Sequence, residues 1–473
     1  MIETMPVQGS SAERIAGFAA ELTTEPLPAE VLATARLLLL DTVGCALAAV
    51  GESAYDGLRA LAIEQGGAPQ ARVLGSDPMV PAPSAALANG SLAHALDFDD
   101  IHPASSAHTS AVVIPAALAA AQANDRSGEE LLAAIVLGTE VVARIGSIVP
   151  AGLHERGFHV TSVAGVFGAA AAAAALAGAD PATTVAALGI AGSLASGIFA
   201  YLEDATETKP LHAGWAAQAG VQAAAFAAVG IEGPASVIEG RYGILDTFLR
   251  GELPSADARR AAVAAAFEDL GSGWRTLEVT PKAYPCCAFM HPWLAAAERA
   301  LGDESGRGAE VVGLRAAVPV EVAVRLVEPR QRTDSPSNGY DAKFSLPYSL
   351  AALVRRGRLD LAAFAPAAIA DEETLALARR VEVSDFPQHD WSSAPRGAVE
   401  LELDDGRLLR AELEGQPAAL TALDGQVAVE AKYRANAEPT LGADRARALG
   451  EAIAGLGGEA PIDLLGELLG AAR

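Results

Sequence analysis

The sequence predicts a mainly α protein: a large helical domain, with a smaller α+β domain inserted in its C-terminal half. Ala and Gly dominate a chain that is 51% hydrophobic and only 5% aromatic. Ala is the best helix former, and small side chains let helices approach closely. The texture changes near Gly271, after which short alternating stretches appear. At 473 residues the chain is too long for one ordinary core. Residues 1–273 with 413–473 are therefore assigned to the helical domain and 274–412 to the α+β domain.

Residues 1–10 read as a loose arm. Apolar residues then recur at helical spacing from Ser11 to Glu21 and from Ala29 to Ala49. Asp41, inside the second run, reads as a paired or capping carboxylate in a helical core. Residues 51–84 are rich in Gly and Pro, with a short extended piece near Ala71–Leu74. Pro115 is expected to open the helix that carries Ala116–Ala123, since proline suits a first helical turn. Further helices are expected over 129–147, 162–178, 183–200, 213–229 and 256–268. In the smaller domain, residues 320–327 and 381–383 alternate as strands do. Val399–Leu403 and Leu408–Leu413 flank Asp405-Gly406, a hairpin signal. Residues 441–456 and 461–472 look helical again.

The formal net charge of −25 argues against nucleic acid and anionic membrane surfaces as partners. An anionic substrate would need a local cationic pocket to overcome that field. Three cysteines (Cys45, Cys286 and Cys287) make no disulfide framework and fit a reducing, cytoplasmic location. The N-terminus lacks the basic and apolar regions of a signal peptide. The longest uncharged apolar run, Val163–Ala179, is short for a bilayer span and mostly Ala and Gly.

Function-capable side chains gather in a few stretches. Residues 89–115 hold His94, His102 and His108 with Asp97, Asp99 and Asp100. His94 and Asp97, three apart, would share one face if that stretch is helical. His154 to Thr161 includes His159, whose place at a helix start would favour the neutral base form. Residues 201–215 carry Lys209 and His212; as a functional group, Lys209 would hold a substrate carboxylate. Lys282, Cys286, Cys287 and His291 fall where the domains would join, and Lys343 and Tyr348 precede a helix. The two adjacent cysteines read as buried small apolar residues. Seven of the eight histidines lie in these clusters, His389 being the other. A Cys/His zinc spacing, a Gly-rich nucleotide loop after a strand and a Gly-x-Ser-x-Gly elbow do not occur in the sequence. The residues therefore support a cofactor-free acid–base enzyme acting on a polyanionic substrate, with Asp97, Asp99, Asp100, His102 and His108 as an alternative metal-binding set.

These clusters resemble the MmgE/PrpD family, which includes 2-methylcitrate dehydratase, cis-aconitate decarboxylase and iminodisuccinate epimerase. The resemblance rests on Ala93-His-Ala-Leu-Asp-Phe-Asp-Asp, Gly157-Phe-His-Val-Thr, Thr208-Lys-Pro-Leu-His-Ala-Gly-Trp, Lys282-Ala-Tyr-Pro-Cys and Ala342-Lys-Phe-Ser-Leu-Pro-Tyr. It implies a helical domain built from both chain ends, an inserted lid domain, a homodimer, and a site where residues of the two domains meet. The implied catalytic positions are Asp97, His108, His159, Lys209, Lys282 and Tyr348. His102, Thr161, His212 and Lys343 are the expected substrate contacts. A 2-methylcitrate-type dehydratase is the leading expectation, with a dicarboxylate epimerase or a cis-aconitate-type decarboxylase as alternatives. A non-catalytic carboxylate-binding protein is the rival from another class. Ile101 stands where many members carry a threonine before histidine, and the decarboxylases are expected to use that hydroxyl.

Overall fold

The computed structural model describes residues 9–23, 25–51, 54–204, 206–253, 255–302, 310–385, 396–414, 423–457 and 463–470. Most of the stretch read as a loose arm, and His389, lie outside these residues. The chain forms two compact units, one of residues 1–95, 99–281 and 419–473, the other of residues 96–98 and 282–418.

The first unit is helical. It runs through α1 (Ser11–Glu21), α2 (Ala29–Ala48), α3 (Tyr55–Gln65) and a two-stranded ribbon, β1 (Ala71–Arg72) with β2 (Met79–Val80). It continues with α4 (Ala82–Ala95), α5 (Thr109–Ala123), α6 (Gly128–Gly146), α7 (Gly152–Glu155), α8 (Val160–Leu176), α9 (Pro181–Leu194), α10 (Lys209–Ala228), α11 (Ile244–Phe248) and α12 (Ala256–Ala266). Local sequence sets several starts. Ser10 with Glu13, and Ser127 with Glu130, form reciprocal capping boxes at α1 and α6. Asp180 caps α9, with Pro181 at its first position.

Small residues let α4, α8 and α10 meet backbone to backbone. A Cβ on Gly90 of α4 would lie 2.8 Å from the Gly214 Cα of α10, and one on Gly220 would lie 2.6 Å from the Ala170 nitrogen of α8. Both distances are below contact, so these positions require glycine.

The second unit contains α13 (His291–Leu301), β3 (Val311–Val318), α14 (Val320–Leu326), α15 (Arg330–Thr333), α16 (Gly339–Ala342), α17 (Leu346–Arg356), α18 (Pro366–Ile369), α19 (Glu372–Ala378), β4 (Val381–Asp385), β5 (Arg396–Leu403) and β6 (Leu408–Glu414). Its sheet has the order β4-β3-β5-β6. β3 runs parallel to β4 and antiparallel to β5, and β5 and β6 make the hairpin signalled by Asp405-Gly406. Trp293, Leu314, Leu350, Leu353 and Leu401 belong to the core of this unit. The chain then returns to the first unit with α20 (Leu423–Leu441), α21 (Ala443–Ala454) and α22 (Asp463–Leu468).

Helix α2 is long and apolar enough to cross a membrane by composition, yet it is mostly buried. It packs against α4 and α20, and Asp41 at its centre pairs with Lys432 of α20 at 2.7 Å.

Three local expectations are corrected, and two helices, α3 and α20, lie where the sequence pattern announces none. Residues 320–327 are not a strand: Pro319 ends β3 and leads into α14, burying Val322 and Leu326 and leaving Val320 and Val324 exposed. Pro115 does not open a helix but lies inside α5, which starts at Thr109. Burial of nearly every residue of α5 outweighs the local cost of the missing N–H. The Gly- and Pro-rich stretch 51–84 contains the helix α3, and α20 begins before the helix expected from residue 441. His94 and Asp97 do not share a helical face, because α4 stops at Ala95 and Asp97 takes a left-handed backbone with φ of 51°.

Candidate functional site

In the first unit, three helix starts bring the imidazoles together. His108 occupies the N-cap of α5 and His159 the N-cap of α8. Lys209 is the first residue of α10, with His212 in its first turn, and His94 lies in the last turn of α4. Ring centroids are 4.5 Å apart for His94 and His108, 5.8 Å for His94 and His159, and 5.3 Å for His159 and His212. All four histidines and Lys209 are buried. The backbone N–H groups and positive dipole ends of helix starts favour anions.

Asp99 anchors this group. Both of its carboxylate oxygens lie 2.9 Å from His94 Nδ1, and Oδ2 lies 3.2 Å from His108 Nδ1. The same His108 nitrogen is 2.8 Å from the Asp100 carbonyl oxygen. Burial alone would raise the Asp99 carboxyl, but the His94 and His108 imidazoles outweigh it and hold Asp99 well below the usual carboxylate range. Its neighbour Asp100 is pushed up to about 7 by burial, with the Asp99 and Asp41 charges adding to the shift.

His159 Nδ1 lies 3.1 Å from His212 Nδ1, so one ring donates and the other accepts. Burial is the main reason the His159 pKa lies well below its ordinary value, followed by the Lys209 charge and the neighbouring imidazoles. His212 is lowered to about 4, again by burial first, then by His94 and Lys209. Both rings are thus held neutral and able to accept protons. Thr161 accepts the His108 backbone N–H at 3.0 Å, joining the starts of α5 and α8.

Among the remaining expected positions, His102 turns to other partners. It bonds Ser105 Oγ at 2.8 Å and Glu278 at 3.1 Å. Lys282 and Asp97 belong to the second unit and pair with each other. Lys282 Nζ lies 2.8 Å from the Asp97 carbonyl and 3.1 Å from its carboxylate, and both side chains are buried. Lys343 Nζ donates to the Pro285 carbonyl at 2.8 Å and sits 4.4 Å from the Phe364 ring centre. Tyr348 is fully buried in the core of that unit, where its hydroxyl donates to the Ala363 carbonyl at 2.6 Å and burial pushes its pKa up to about 12. Cys286 is buried, which raises its thiol well above the ordinary range, as expected of an inert residue.

Sequence reasoning placed His94 and Asp99 in the right stretch but did not select them as site residues. The signal available was their spacing across the end of α4, which becomes informative only once that helix end is known. His94, His108 and His159 each offer a ring nitrogen within 4.8 Å of the others, a grouping able to hold a metal ion.

The chain matches the MmgE/PrpD N-terminal domain over residues 13–257 and the MmgE/PrpD C-terminal domain over residues 284–456. Among curated proteins it is similar to the cis-aconitate decarboxylase-like protein oryM of Aspergillus oryzae, with 31% identity over 303 residues, 62% of each chain. It is 31% identical over 300 residues to cis-aconitate decarboxylase of Aspergillus terreus, which covers 62% of this chain and 60% of that relative. To the human cis-aconitate decarboxylase it is 40% identical over 169 residues, 34% of each chain. The chain therefore spans about three fifths of the length of the fungal relatives it matches.

Proposed function

The chain belongs to the MmgE/PrpD family, and from that premise we propose that it is a carboxy-lyase acting on a cis-aconitate-type tricarboxylate. The observation that carries the reading is the group of buried imidazoles around Lys209 at the starts of α5, α8 and α10. The names of its relatives support decarboxylation over the dehydration expected from sequence.

In this reading Lys209 and the helix starts bind substrate carboxylates. A buried lysine at a helix N-terminus opposes the helix dipole, a cost that a bound anion offsets. The carbon–carboxylate bond breaks heterolytically and carbon dioxide leaves. The electron pair enters an allylic system next to a retained carboxylate, where fixed positive charge stabilises it. A protonated imidazole, His108, then delivers a proton to carbon. Each well-placed donor contributes about 3–4 kcal/mol, and acid–base assistance roughly 10²–10⁴-fold.

One observation keeps dehydration as a second reading. Ile101 is buried, and its backbone pairs with Thr280, so the position where many members carry a threonine offers no hydroxyl. Incubation with cis-aconitate, 2-methylcitrate and iminodisuccinate, followed by NMR in D2O, separates the chemistries. The expected result is carbon dioxide release from cis-aconitate with deuterium incorporated at carbon. Loss of hydroxyl from 2-methylcitrate alone would establish the second reading, and inertness towards all three substrates would end both.

A further inference from the structure

We propose that Asp99 is a positioning residue that fixes the tautomer of His94, beside a His108 ring fixed by the Asp100 carbonyl, so that Nε2 of both rings is presented for proton transfer. The inference rests on the acid–base reading of this site and adds to it a residue pair, Asp99 with His94.

A carbonyl oxygen only accepts hydrogen bonds. His108 Nδ1, 2.8 Å from the Asp100 carbonyl, must therefore carry the proton. Asp99 Oδ2 is a second acceptor for that same N–H at 3.2 Å. His94 Nδ1 faces both oxygens of the same carboxylate at 2.9 Å. An ionised carboxylate is also only an acceptor, so this nitrogen is a donor as well. In the neutral rings the lone pair is then on Nε2 in both cases. The two rings are held 4.5 Å apart, centre to centre, by a carboxylate whose side chain is fully buried. Water cannot compete for its oxygens, and the low local dielectric strengthens both bonds.

An ordinary Asp–His pair orients one base. Here one carboxylate reaches two rings on different helices and decides the tautomer of the first: His94 in the last turn of α4, with His108 at the cap of α5. Replacing Asp99 by Asn leaves one acceptor oxygen and adds an NH2 group. The Asp100 carbonyl still holds the His108 Nδ1–H, while an amide NH2 turned towards His94 pairs with a bare Nδ1, so His94 loses its fixed tautomer.

The test uses the full-length protein labelled with 15N-histidine, treated with EDTA, and examined by two-bond 1H–15N correlation at neutral pH. His94→Gln and His108→Gln assign the two rings. The expected result is an Nδ1–H tautomer at both positions in the parent protein. In Asp99→Asn His94 gains the Nε2–H tautomer while His108 keeps Nδ1–H, and turnover falls about 10²–10⁴-fold. An Nε2–H tautomer at His94 or His108 in the parent protein overturns the proposal, even if Asp99→Asn fails to fold. So does a folded Asp99→Asn protein in which His94 stays wholly Nδ1–H. The tautomer measurement needs no substrate. If both rings are Nδ1–H but none of the three acids reacts, the positioning role stands and the catalytic reading falls.

Discussion

Lys432 Nζ lies 2.7 Å from Asp41 Oδ1, a buried ion pair that links α20 near the chain's end to α2 near its start. Burial alone would lower the Lys432 pKa, but the Asp41 charge outweighs it and raises the value. Lys432→Met is expected to destabilise the protein by about 3–5 kcal/mol, because Asp41 is left charged in the core. Adding Asp41→Leu should recover most of the loss. Urea denaturation of the single and double variants checks this, and a double variant no more stable than the single one would refute it.

Lys209→Met should separate function from stability. Turnover is expected to fall on the order of 10²–10³-fold. The fold should be retained, as read by circular dichroism of the variant beside the parent protein. A variant that loses activity only by unfolding would count against the assigned role.

Acid should weaken the fold before most carboxylates titrate. His212 is held at about 4, against an ordinary 6.5. Between those values the unfolded chain takes a proton that the folded chain refuses, so stability falls as pH is lowered through the window. The His212 contribution is on the order of 3 kcal/mol; His159 adds to it in the same direction, and Asp100, raised to about 7, opposes part of it. Denaturation midpoints at pH 7.5, 6 and 5 measure the slope, and His212→Gln should flatten it.

Dialysis against EDTA is expected to leave turnover unchanged, while added Zn2+ should inhibit by occupying the His94, His108 and His159 nitrogens. Lost activity that a divalent ion restores would instead make the metal part of the reaction.

Gly90→Ala should cost about 1–3 kcal/mol, because the new methyl would sit 2.8 Å from the Gly214 Cα and force α4 and α10 apart. Turnover should drop as well, since both helices carry site residues. Chemical denaturation and a rate assay on the same sample would show whether the two losses occur together.

Much of the candidate site was legible in the sequence because function-capable residues are sparse in a chain of Ala, Gly and Leu. His108, His159, Lys209 and His212 stand out against such a background, and the helices that carry them follow from composition. The pairing of those residues was less legible. Asp99 differs from Asp97 and Asp100 only in where the end of α4 points it, which is set by tertiary packing. The strand pattern at 320–327 misled because alternation of β-branched residues also fits a short half-buried helix, and Pro319 decides between the two. Tyr348 lay in a matching motif, yet its hydroxyl serves the Ala363 carbonyl in an apolar core; sequence gives the residue type but not the direction it faces.

Where α4, α8 and α10 touch, glycine and alanine leave no layer of large side chains that could be exchanged to shift one axis against another. The spacing of the helix mouths is thus set by main-chain dimensions rather than by replaceable packing. Divergence in what such a protein accepts is then left to the exposed positions of the connecting segments, such as Pro103, Ala104, Glu203 and Thr206, where a change of side chain costs the scaffold little.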